Sequence, residues 1–94
     1  MIVIRNRFIA KPGNAGKLAA LMKQLVAAGK LPNGRVLTDM TGDFNQVVME
    51  YEVENLAGVE KYQRMYATDE TIKAMMKGYT DLWLTGSREL LQVV

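Results

Sequence analysis

Apolar positions recur along this chain with two different periods, and each change of period marks a new element. Residues 2–10, IVIRNRFIA, are rich in Ile, Val and Phe and predict a strand, closed by Lys11-Pro12-Gly13. Leu18, Leu21, Met22, Leu25 and Val26 then fall at helical spacing, on one face of an amphipathic helix. Asn14 is placed to cap its start, and Gly29 to end it in a left-handed conformation beside Lys30. After the turn Pro32-Asn33-Gly34, residues 35–41 and 46–53 predict a strand pair joined by the loop Gly42-Asp43-Phe44-Asn45. Asn55 is a cap for a second helix with the stripe Leu56, Val59, Tyr62 and Tyr66. Thr68-Asp69-Glu70 breaks and restarts it, and Ile72, Met75, Met76 and Tyr79 continue the helical spacing, with Leu82 and Trp83 as its extension. Gly86 precedes a last strand over residues 87–94.

This order, strand, helix, two strands, broken helix, strand, predicts one domain over residues 1–94 of the α+β class. It fits a ferredoxin-like βαββαβ arrangement: a four-stranded antiparallel sheet with helices on one face and the first and third strands central. Side chains alternate across a strand. Ile2, Ile4, Asn6 and Phe8 therefore share the helix side with Val47, Met49, Tyr51 and Val53, while Arg5 and Arg7 share the other face with Glu50 and Glu52. Those charges belong either to a solvated sheet face or to a face that meets a second sheet, where they must pair with one another. Asn6 points among apolar neighbours, so its amide bonds to nearby backbone or lines a polar pocket.

Composition narrows the chemistry. The chain has no Cys and no His, which removes disulfides, thiolate catalysis, Cys- or His-based metal and haem ligation and the commonest neutral-pH base. The absence of Cys fits a cytoplasmic setting. The formal charge is +2 and dispersed, with no basic run for nucleic acid. Glu50 and Glu52 would repel phosphate from the open sheet face. No apolar stretch reaches the ~18 residues of a membrane helix. Gly13-Asn14-Ala15-Gly16-Lys17 lacks the spacing of a phosphate loop, because Lys11 and Leu18 stand where Gly and Ser or Thr are needed. Met22, Met75 and Met76 lie on helical stripes and pack a core. Hydrophobic residues make up 49% of so short a chain, an excess that a partner subunit ordinarily covers.

The opening IVIRNRFIAKPG, the amphipathic helix, RVLTDMTG and the closing GSRELLQVV together resemble the dimeric α/β-barrel superfamily over nearly the whole chain. The resemblance implies a homodimer in which two sheets face each other, with Arg5, Arg7, Glu50 and Glu52 inside the shared barrel. Antibiotic-biosynthesis-type and haem-degrading monooxygenases of that superfamily place a pocket between sheet and helices, and their first strand often carries Asn then Arg, as Asn6-Arg7 does here. Asn6 is thereby a candidate catalytic residue. Phe8, Tyr51, Tyr62, Tyr66, Tyr79 and Trp83 are candidates for the pocket wall. A haem-ligating His would fall near residues 74–76, where there is none, which speaks against haem degradation. The KPG after the first strand is similar to NIPSNAP-like members. Two functions follow: a cofactor-independent monooxygenase-like enzyme acting on a small aromatic or polyketide-like molecule, or a homodimer that holds a small apolar ligand or scaffolds without chemistry.

Overall fold

A computed structural model describes residues 1–94. The elements run β1 (Ile2–Ala10), α1 (Ala15–Ala28), β2 (Arg35–Thr38), β3 (Gln46–Val53), α2 (Leu56–Thr68), α3 (Glu70–Met75), a 3-10 turn (Tyr79–Leu82) and β4 (Trp83–Gln92). The strands form one antiparallel sheet in the order β2-β3-β1-β4. β1 and β3 are central, as predicted, and the fold is the expected α+β ferredoxin-like one.

The alternation along β1 and β3 decides where the core sits. Ile4, Val47, Met49, Tyr51 and Val53 project from one face and join Leu18, Met22 and Leu25 of α1, Val59 and Tyr62 of α2, and Ile72 of α3. The opposite face carries no helix. Burial of such side chains is worth roughly 1.5–3 kcal/mol each, which sets all three helices on the same side.

Helix ends follow local chemistry. Asn55 Oδ1 accepts from the Gly58 N–H at 3.2 Å, and Asp69 Oδ1 accepts from the Ile72 N–H at 3.0 Å, so Asp69 ends α2 and starts α3. Asn14 makes no such side-chain bond. Its own N–H bonds back to the Lys11 carbonyl at 2.9 Å, in a turn that begins the helix without it. The end of α1 also differs from expectation. Gly29 stays right-handed at φ −82°, and the left-handed residue is Lys30 at φ +50°. The Leu31 N–H reaches back to the Val26 carbonyl at 3.1 Å, closing the turn. Gly29 is needed for space instead, because a Cβ there would lie 2.9 Å from the Met65 methyl.

Two strands differ in length from the prediction. β2 stops at Thr38, because the Asp39 carboxylate then accepts the Gln46 N–H at 3.1 Å and turns the chain. β4 begins at Trp83, so Trp83 does not extend a helix and Gly86 lies inside the strand, while Leu82 ends the 3-10 turn. Gly78, left-handed at φ +82°, separates α3 from that turn. Gly86 stands opposite Phe8, and a Cβ on it would meet the Phe8 ring at 3.1 Å. The missing side chain is what lets that ring lie across β4.

Candidate functional site

A cavity of about 240 Å³ lies between the sheet and the helices. Asn6, Phe8 and Met49 form its floor, Met22 and Leu25 come from α1, and Tyr66 and Ile72 from α2 and α3. Met76, Tyr79 and Arg88 complete the wall. Most of this lining is apolar. The polar groups are the Asn6 amide, the Arg88 guanidinium and two tyrosine hydroxyls.

The sheet register creates the polar end. Asn6 and Arg88 are paired residues of β1 and β4, so their side chains rise on the same face. Arg88 Nε donates to Asn6 Oδ1 at 2.8 Å. Asn6 is only 5% exposed, and this bond answers the question of what satisfies its amide oxygen. It has a side-chain partner at the cavity, not a backbone one.

The aromatic candidates divide into two groups. Phe8, Tyr66 and Tyr79 line the cavity. Trp83 stands behind them, its ring centroid 5.4 Å from that of Phe8 and 6.2 Å from that of Tyr79, with its indole N–H buried and without a partner. Tyr79 meets Phe8 edge to face at 6.5 Å, so three rings close one side of the cavity. Tyr51 and Tyr62 lie deeper, with centroids 5.4 Å apart, and do not reach the cavity wall. Tyr51 is linked to it indirectly: the Tyr66 hydroxyl donates to the Tyr51 hydroxyl at 3.2 Å. Burial pushes both phenols above their ordinary value, and the nearby Arg88 charge pulls each the other way. Neither is poised as a base at neutral pH.

On the open face the charges form a ladder across all four strands. Glu50 accepts from Arg5 Nε at 2.8 Å and from Arg35 Nε at 2.6 Å. Arg5 also approaches Glu89 at 4.0 Å, and Arg7 Nε lies 2.8 Å from the other Glu89 oxygen. That last contact is an ion pair without a hydrogen bond, because the N–H points off the oxygen. Glu52 takes the amide of Asn33 at 3.0 Å. Arg5 and Glu50 are thus brought together, whereas Arg7 and Glu52 find other partners, since the register sets Arg7 opposite Val48 and Glu52 opposite Val3. Glu50 is only 4% exposed although it stands on an uncovered face, because two guanidiniums cover it. Burial raises its carboxyl, and hydrogen bonds from Arg5 and Arg35 outweigh that and hold it below the usual carboxylate range.

Arg88, Arg35 and Glu89 are site residues that the sequence reading did not single out. The signal for Arg88 was present, since a closing strand beside β1 must set some residue opposite Asn6. It needed the β1–β4 register to be used.

No protein-family model matches the chain, and no curated protein matches its sequence. Solved structures do match in fold. An uncharacterized NIPSNAP domain protein from Burkholderia xenovorans superposes with a TM-score of 0.85 at 14% identity, covering 100% of this chain and 95% of that one. A NIPSNAP family protein from Agrobacterium tumefaciens gives 0.85 at 16% identity, over 99% and 92%. An antibiotic biosynthesis monooxygenase gives 0.75 at 15% identity, over 100% and 99%. These are the two groups that the sequence resembles, and the likeness is one of fold. No helix is long and apolar enough to cross a membrane.

Proposed function

We propose that residues 1–94 form a homodimeric α/β-barrel domain whose cavity binds a small aromatic or polyketide-like molecule and oxidises it as a cofactor-independent monooxygenase. The carrying observation is the Asn6–Arg88 pair at one end of an otherwise apolar, aromatic-walled cavity. Fold alone assigns no activity, so the reading rests on that site. Its volume lies just under the range of about 300–1,000 Å³ for drug-sized ligands, which suits one or two rings. Phe8, Tyr66 and Tyr79 would hold the ring and exclude water, and the polar pair would orient a ring oxygen. A phenol of this class needs no external reductant. With O2, naphthol can give naphthoquinone and water: one oxygen atom enters the ring, and the ring supplies the four electrons that reduce O2 and the two hydrogens of the water. The protein then has only to stabilise the ionised ring.

Two observations support the dimer. The open face bears three arginines and three glutamates, all already paired or hydrogen-bonded within one copy, so it can be covered without stranding a charge. Apolar Leu37 and Leu91 stand exposed on the same face. The lack of Cys suits a cytoplasmic setting.

The test is oxygen uptake with naphthol, followed alongside quinone absorbance. The expected result is equal oxygen consumed and quinone formed, with turnover abolished in Asn6→Ala at unchanged circular dichroism. Naphthol binding without oxygen uptake leaves the second reading, a ligand-holding homodimer, which the lack of a base in the cavity favours. No binding rejects both. Sedimentation giving only monomer at micromolar concentration rejects the barrel.

A further inference from the structure

The sheet carries four arginines, and Arg88 is the one without a carboxylate: Arg5 and Arg35 share Glu50, and Arg7 takes Glu89. Arg88 makes a single hydrogen bond, from Nε to Asn6. A guanidinium has five N–H donors in a planar fork. The four on its terminal nitrogens are therefore uncommitted, and they belong to a residue that lines the cavity. No Asp or Glu lines that cavity, so its polar end is positive, with Arg88 open to solvent and unpaired by any carboxylate of the chain. Asn6 is buried on a central strand and fixed by its register, so it behaves as an anchor that sets the plane of the fork. An anchored guanidinium facing an apolar cavity matches a planar oxyanion.

We infer that the ligand of this cavity is a small aromatic anion, a carboxylate or a phenolate. Arg88 is the residue that touches its oxygen, and Asn6 is a positioning residue that holds Arg88 by its Nε. This deepens the small-aromatic-ligand reading above and rests on it. Asn6 then acts on the ligand through Arg88, and its amide need not meet the substrate.

The experiment is calorimetric binding of naphthoate and of its neutral isostere naphthamide to the intact protein, with naphthol titrated through its ionisation as the phenolate arm. The wild-type chain should prefer an anion over its neutral partner by at least about tenfold, the scale of a hydrogen bond to a charged group. The anion with the larger preference names the ligand class. Arg88→Met should erase that preference while keeping naphthamide affinity, and Arg88→Lys should keep only part of it. Asn6→Ala should lower the anion preference in the wild-type background and leave it unchanged in the Arg88→Met background. Equal affinity for charged and neutral forms in a protein that still binds both overturns the anion inference and leaves the aromatic-cavity reading standing. Failure to bind any of the three probes overturns both. An Asn6→Ala effect of equal size in the Arg88→Met background overturns the positioning role.

Discussion

On the open face of the sheet each strand arginine is answered by a glutamate, whereas on the other face Arg88, exposed on the edge strand β4, is answered by an amide. The same residue type thus serves two ends. Arg5 and Arg35 neutralise Glu50 and close it from water, which turns a charged surface into one that another surface can cover. Arg88 keeps its charge, because a carboxamide fixes direction without cancelling it. Neutralisation prepares a face for packing, and an uncancelled charge beside apolar walls prepares a cavity for an anion.

The comparison can be broken most forcefully on the helix side. Tyr51 is buried beneath α2 against Tyr62, so Tyr51→Ala should cost about 3–5 kcal/mol in urea denaturation. Glu50→Ala leaves two guanidiniums without their shared acceptor and should cost about 1–3 kcal/mol. A loss below that range would mean the ladder is solvated and easily rearranged. Tyr51→Phe removes only the acceptor of the Tyr66 hydroxyl, and about 1 kcal/mol is expected. Arg7→Ala breaks a half-exposed pair and should change stability by less than about 1 kcal/mol.

The pH dependence separates the two faces as well. Glu50 ionises more easily in the fold than its ordinary value of 4.5, so its contribution is complete above that value. It is lost as pH falls through the lower folded value. Thermal melts across acid pH should show this loss, blunted in Glu50→Gln. Tyr51 and Tyr66 are raised above 10.0, so their contribution is complete below that pH and fades as pH rises beyond it. Tyr66→Phe should flatten the alkaline limb and leave the acid limb unchanged.

Much of the fold was legible from period alone. The alternation in IVIRNRFIA and QVVMEYEV separates the two sheet faces and puts Asn6 on the buried one. Asn55 and the Asp69 restart were legible because a short polar side chain before an apolar run has one favourable use. Gly29 and Gly86 misled, because a glycine serves close approach as readily as a turn, and only the neighbours Met65 and Phe8 tell which. Arg88 stayed hidden for a different reason. Its partner Asn6 lies on β1, at the far end of the chain, and side-chain pairing across strands depends on a register that no local pattern encodes.

The pairing of Ile2 with Gln92 has a consequence for the order of assembly. β1 and β3 are joined by α1 and β2 and can associate through contacts of moderate span, but β4 must close the longest loop of the domain, a step whose entropy slows folding. The polar end of the cavity exists only after that step, because Asn6 waits on β1 for Arg88 to arrive on β4. A molecule held there fastens the last strand to the first. It should therefore protect the β4 amides from hydrogen exchange more than those of α1, making the final strand the reporter of an occupied cavity.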